Sequence, residues 1–154
     1  MTDTLLSVKN LNLNIPTGSG TLHAVRGIEF ELKRGETLSI VGESGSGKSL
    51  TSLAVMGLLG KSIKCQADEM RFDDVDLRTA GRRVMRDLRG NRIAMIFQEP
   101  MTSLNPSYTI GDQLTETLLL HRKVSKSVAR ARAIALLEKV GITAAESRLS
   151  QYPH

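Results

Sequence analysis

The sequence predicts an α/β fold with an N-terminal antiparallel β subdomain, a partial parallel core sheet and the start of a helical subdomain. Three observations predict it. The N-terminal stretch holds two segments of alternating apolar residues, each closed by turn-forming residues. Two short, continuous apolar runs, Thr37–Val41 and Ile93–Phe97, have the character of strands covered on both faces. The first of these runs passes through a glycine-rich loop into a segment of helical periodicity, and helical spacing returns beyond Pro106. Strands interleaved with helices imply a sheet with helices packed on it.

Taken in order, Leu5–Ile15 (LLSVKNLNLNI) alternates loosely and reads as a strand, and Pro16–Gly20 (PTGSG) as a turn. Ala24–Leu32 alternates again, with Ile28, Phe30 and Leu32 on one face, and pairs antiparallel with the first strand. Lys33–Glu36 is a tight turn leading into the buried strand Thr37–Val41. A helix is expected over Lys48–Leu59, carried by Leu50, Leu53 and Ala54 and running on through Met56 and Gly57. Met70–Leu77 reads as a short strand, an Asp-Asp turn and a return. Arg78–Arg92 contains six arginines and is read as a solvated stretch before the second buried strand, Ile93–Phe97. Pro100–Pro106 is a loop. A helix follows over Ile110–His121, with Ile110, Leu114 and Leu118 spaced four apart. A last helix begins after Ser125 as N-cap, shows Ala135, Leu136, Leu137 and Val140 as its later apolar face, and stops at Gly141. The expected division is residues 1–100 for the β subdomain and core, and 101–154 for the beginning of the helical subdomain.

Composition narrows the chemistry. At 154 residues the chain has the size of one domain, and its 40% apolar and 24% charged residues are those of a globular protein. Three Phe, two Tyr and no Trp leave a largely aliphatic core and few platforms for stacking single-stranded nucleic acid. The net charge of +5 suits polyanionic company, from nucleotide phosphates to an acidic surface. The single cysteine, Cys65, excludes an internal disulfide framework and has no partner motif around it. No basic stretch followed by an apolar one opens the chain, so no signal peptide is expected. The longest strongly apolar stretch, Leu53–Leu59, is interrupted by Gly57, whereas a membrane span needs ~20 residues. Association with a membrane is therefore expected through a partner.

Gly42–Ser49 reads GESGSGKS and fits G-x-x-x-x-G-K-[ST] in full, between a strand and a helix. Each residue type has a physical role. Gly42, Gly45 and Gly47 let the backbone turn tightly and aim its N–H groups, with those of Glu43, Ser44 and Ser46, at one point. The helix beginning at Lys48 directs its positive end to the same place. The Lys48 ammonium suits β- and γ-phosphates, and the Ser49 hydroxyl suits Mg²⁺, which keeps most of its waters. The motif points to a nucleoside triphosphate without choosing the reaction.

Three stretches make that choice. AVRGIEFELKRGETLSIVGESGSGKS (Ala24–Ser49), IAMIFQEPMTSLNP (Ile93–Pro106), and LEKVGI with RLSQYPH (Leu137–His154) resemble the ATP-binding subunits of ABC transporters. The likeness is to the branch importing dipeptides, oligopeptides and nickel, and it spans nearly the whole chain. It implies a P-loop ATPase fold with ATP and Mg²⁺ as ligands, bound by Gly42, Glu43, Ser44, Gly45, Ser46, Gly47, Lys48, Ser49 and Gln98. Metal ligation falls to Ser49 and Gln98. By resemblance Gln98 is the Q-loop glutamine, whose amide oxygen can ligate Mg²⁺ or hold an attacking water. The segment after it begins the helical subdomain that meets the transmembrane partner, with Glu99–Asn105 near that contact.

The sequence departs from the family pattern in two places. An aromatic ring for adenine is expected upstream of the loop, but none precedes Phe30, and His23 is the only ring in that region. The signature motif, the catalytic glutamate and the switch histidine are expected beyond His154, so the chain carries no catalytic residue of its own and Gln98 assists. It is expected to be an incomplete domain. The resemblance implies transmembrane permease subunits, a second ATP-binding subunit in a homo- or heterodimer, and, indirectly, an extracytoplasmic substrate-binding protein. It places the protein peripherally at the cytoplasmic face of the inner membrane and gives it no nucleic-acid partner. The alternatives are a soluble ABC ATPase acting on nucleic acid, which the basic charge permits and FQEPMTSLNP disfavours, and a truncated, inactive remnant.

Overall fold

The computed structural model describes residues 3–99 and 103–154. The chain divides into two compact units, one reaching to Arg89 and one beginning at Gly90. The boundary expected at 100/101 lies outside the described residues.

The first unit is built on a long hairpin. Strand β1 (Thr4–Thr17) turns through Gly18 and Ser19 into β2 (Gly20–Lys33). The opposite edge of β1 takes β3 (Lys64–Gln66) along its later half and β4 (Glu69–Phe72) along its earlier half. Strand β5 (Val75–Asp76) extends the sheet beyond β4, and every ladder is antiparallel. Alternation along β1 is broken at Asn10, whose φ is 51°. The irregularity between Val8 and Leu11 lets both side chains enter the core although they are an odd number of residues apart. Asn12 holds this kink closed: its Nδ2 donates to Asn10 O at 2.9 Å, and its Oδ1 accepts from the Gly27 N–H at 2.9 Å.

Val8, Leu11 and Leu13 are fully buried, with Val25, Met70 and Phe72 beside them in the sheet. Helix α1 (Lys48–Val55) covers this layer with Thr51, Ala54 and Val55. It ends earlier than the expected Leu59, because Gly57 takes a φ of 62° and the Leu58 N–H reaches back to Leu53 O at 2.9 Å, closing a left-handed cap. Helix α2 (Arg82–Leu88) lies within the arginine-rich stretch, buries Met85 and Leu88, and leaves Arg82, Arg83 and Arg86 exposed.

The second unit is helical. Helix α3 (Ile110–His121) is capped by Thr109, whose hydroxyl accepts from the Asp112 N–H. Helix α4 (Lys126–Lys139) is capped by Ser125 through the Val128 N–H and is closed by Gly141 at φ 80°. Helix α5 (Ala145–Arg148) follows. The small core is Ala129, Ala133, Ala145 and Leu149. The buried stripe of α4 is therefore Ala129–Ala133 with half-buried Leu137, and Leu136 and Val140 face outward, contrary to the expected face. Small residues on that stripe let the packed helices approach closely. Ile110 N and Gly111 N donate to Gln151 O and Leu149 O, at 2.9 and 2.8 Å. A Cβ on Gly111 would stand 2.7 Å from Leu149 O, so glycine is required there.

The two segments expected as buried parallel strands carry no strand. Thr37–Val41 lies in irregular backbone, with Leu38, Ile40 and Val41 exposed, and Ala94–Phe97 does likewise, with Ile96 97% exposed. A parallel strand needs a hydrogen-bonded neighbour and an apolar layer on each face. Neither segment has these within its own unit. No helix among the described residues is long and apolar enough to cross a membrane.

Candidate nucleotide site

The glycine-rich loop joins irregular backbone to α1, and its shape follows from its glycines. Gly45 and Gly47 have φ of 81° and 93°, a region costly for any side chain. Gly47 is the N-cap of α1 and is doubly constrained: a Cβ there would fall 2.8 Å from Val25 Cγ2 and 2.9 Å from Ala24 O. The loop is thus pressed against β2. The contact falls where β1 advances from Leu13 to Asn14 while its β2 partners step from Val25 to His23, a bulge that leaves Ala24 unpaired. Gly42 is the second close approach, because a Cβ there would stand 2.7 Å from Ser46 Oγ.

Three donors at the start of α1, the N–H groups of Lys48, Ser49 and Leu50, precede the first intrahelical bond, which runs from Thr51 N to Gly47 O at 2.9 Å. No side chain caps them. The Lys48 ammonium is folded into the loop and donates to Gly42 O at 2.6 Å, Glu43 O at 2.7 Å and Ser46 Oγ at 3.2 Å. All three of its protons are matched to loop oxygens. Unbonded helix N–H groups and an ammonium within one loop form a receptor for an anion carrying several oxygens. Glu43 and Ser44 form the exposed crest of the loop. Ser49, in the first turn of α1, is exposed, so its hydroxyl is open to a cation bound beside such an anion.

His23 stands on β2, two residues before the Val25 that walls Gly47. It is exposed, and its Nδ1 lies 2.6 Å from Asn14 Oδ1 across the hairpin. Gln98 belongs to the second unit. It is exposed, one residue after half-exposed Phe97. The rest of the FQEPMTSLNP loop is described from Ser103 onward, where the Ser103 hydroxyl donates to Glu99 O at 2.8 Å. Pro100, Met101 and Thr102 lie outside the described residues.

Titration shifts fall away from this loop. The Arg78 guanidinium pairs with Asp76 at 2.8 Å and holds its carboxyl down at about 2. The Ser7 hydroxyl, donating to Glu69 at 2.5 Å, lowers that carboxyl, with Lys9 assisting. Cys65 is exposed as a residue, yet its surroundings desolvate the thiol enough to push its pKa upward, which makes it less nucleophilic.

The sequence reading missed two features. One is the Gly47–β2 contact, whose partners lie more than twenty residues upstream of Gly47. The other is the role of Gln113, which binds the loop before α3. The turn signal Asn-Pro-Ser-Tyr, followed by a glutamine in the first turns of a helix, was the available clue to the second.

The first unit thus carries a glycine-rich loop that packs against β2 and opens α1, and the second unit is helical. The family model described as ABC transporter matches residues 25–154, and the chain belongs to that family. It is 50% identical over 151 residues to the dipeptide transport ATP-binding protein DppD of Bacillus subtilis, covering 97% of this chain and 45% of the relative. The oligopeptide transport ATP-binding protein OppD of the same organism is 48% identical, with coverage of 97% and 42%. DppD of Escherichia coli is 46% identical, with coverage of 97% and 46%. The chain thus spans less than half the length of these relatives. Among solved structures, the dimeric post-hydrolysis state of the ATP-binding cassette MJ0796, bound to ADP and Pi, superposes with a TM-score of 0.78. It covers 96% of this chain and 61% of that one at 22% identity, a likeness of fold.

Proposed function

We propose that this chain is the nucleotide-binding part of an energy-coupling subunit that drives peptide import. The observation that carries the reading is the 46–50% identity to subunits named for dipeptide and oligopeptide transport, sustained over 97% of the chain. The loop geometry supports it. Phosphate oxygens replace the loop's own oxygens as partners of Lys48, so its ammonium leaves Gly42 O and Glu43 O for the β- and γ-phosphates. The N–H groups of Gly45, Gly47, Lys48 and Ser49 close on the same anion, and Gly42, Glu43, Ser44 and Ser46 complete the loop around it. Mg²⁺ would take Ser49 Oγ as a ligand and neutralise charge on the phosphate oxygens, and Gln98 is the further metal ligand that the family likeness implies. Gln98 follows the γ-phosphate and passes its presence to the loop behind it.

Residues 1–100 then form the β subdomain and phosphate-loop core, and residues 101–154 begin the helical subdomain. The working assembly pairs two ATP-binding subunits beneath transmembrane permease subunits at the cytoplasmic face of the membrane. A substrate-binding protein outside delivers the cargo, so the partners choose which peptide is carried.

Labelled-ATP retention tests the site. Wild-type chain with Mg²⁺ should retain weakly bound nucleotide. Lys48→Ala should lower retention about ten-fold or more, since charge-assisted hydrogen bonds are worth about 1.5–3 kcal/mol. Equal retention by the two proteins would overturn the assignment. The same 154-residue chain should release phosphate only at background. No residue in it fills the position of the catalytic glutamate, and positioning a water is a large part of phosphoryl transfer. Turnover that disappears in Glu99→Gln would show that Glu99 is a base and that this account of catalysis is wrong.

A further inference from the structure

The loop preceding α3 is held by one side chain. Asn105-Pro106-Ser107-Tyr108 is a β-turn closed by Tyr108 N donating to Asn105 O at 3.3 Å, and Pro106 in its second position presets φ. Inside it, Asn105 Oδ1 accepts from Ser107 N at 2.9 Å. A lone exposed four-residue turn is marginal. Here the carboxamide of Gln113, in the second turn of α3, reaches back over it. Gln113 Oε1 accepts from the Asn105 N–H at 2.8 Å, and Nε2 donates to Asn105 O at 2.9 Å and Tyr108 O at 3.1 Å, with Thr109 O at 3.5 Å. Only one orientation of the amide satisfies an N–H on one side and carbonyls on the other. Both ends of the turn are thereby tied to one point on a helix, itself capped by Thr109 with Asp112. The outward products are Tyr108, 57% exposed, and Leu104, 39% exposed.

We infer that Gln113 is a positioning residue: it fixes the shape of the Asn105–Thr109 loop and thereby sets how tightly ATP turnover is coupled to transport. The inference rests on the transporter reading above, in which Glu99–Asn105, the segment that runs into this loop, lies near the contact with the permease subunits. A primary amide is required. Glutamate keeps an acceptor for Asn105 N–H but turns negative charge on the carbonyls of Asn105, Tyr108 and Thr109, and alanine offers nothing.

The test uses the subunit extended through the signature and catalytic motifs, free and reconstituted with its permease subunits in vesicles. Wild type is compared with Gln113→Ala and Gln113→Glu. In the free subunit, amide exchange at Ser107 and Tyr108 should accelerate about ten-fold or more in both variants, and at Asn105 in Gln113→Ala, while exchange in the middle of α3 is unchanged. In vesicles, peptide transported per ATP hydrolysed should fall about five-fold or more. Unchanged loop exchange in both variants overturns the brace. Loosened loops with an unaltered ratio of transport to hydrolysis overturn its role in coupling. If wild-type turnover does not respond to permease and peptide at all, the transporter reading fails, and the exchange measurement still decides whether Gln113 holds the loop.

Discussion

Gly47 concentrates the constraints on the loop. It needs a left-handed backbone, and it needs the missing Cβ, because Val25 Cγ2 and Ala24 O already occupy that space. Gly47→Ala should therefore lose about 1–2 kcal/mol from backbone conformation alone, with the collision added. It should also abolish nucleotide retention although Lys48 is intact. Gly60→Ala is the control: nothing lies within 4 Å of its Cβ position and its φ is not positive, so stability should change little. Denaturant midpoints and labelled-ATP retention on the two variants check the contrast. Motif spacing alone made this loop legible at the residue scale, because turn chemistry and phosphate chemistry both demand glycine, lysine and serine in that order. It could not show that Gly47 is also a packing residue, since that depends on a bulge at Ala24 that only the folded hairpin reveals. Gln113 was hidden for the same reason: four interactions of one amide are a property of the turn and helix together.

Elements with local signals were legible. The alternation of β1 and β2, the Ser125 cap and the Gly141 stop are written in neighbouring residues, and α3 runs over the residues its spacing predicts. Helix α2 escaped because its six-arginine context reads as solvated, while its packing depends on two residues, Met85 and Leu88. The β4–β5 hairpin makes a pH prediction. Asp76 titrates at about 2 in the folded chain, below its ordinary 3.8, chiefly because Arg78 donates hydrogen bonds to it. A depressed carboxyl stabilises the fold above its unfolded pKa and loses that contribution as pH falls toward its folded pKa. The contribution of this pair should be complete above about pH 5 and disappear between about pH 4 and pH 2. Asp76→Asn should be less stable than wild type near neutrality and should match it more closely in acid. Unfolding midpoints measured across that range decide it, and a constant difference at all pH values would refute it.

At the scale of the whole molecule, the family was legible because its motifs survive in order over most of the chain. Two apolar runs were assigned to strands because such a run records what a segment buries against, not whether the neighbours are present. Thr37–Val41 and Ala94–Phe97 consequently lie open, and a protease reads them as substrate. Backbone outside any ladder, with accessible side chains, is cut before backbone held in a sheet. A chymotrypsin-like enzyme should cleave early after Phe97 and Leu38, and late after Leu11 and Leu13. Early cuts within β1 would contradict the exposure described. Cleavage after Leu38 also has a further outcome. The severed N-terminal piece contains all of β1 and β2, and β1 is laced to β3 and β4 on the other piece from Leu6 to Asn14. The two fragments should therefore travel together through a sizing column and part only in denaturant, a nicked molecule held by its sheet rather than by its chain.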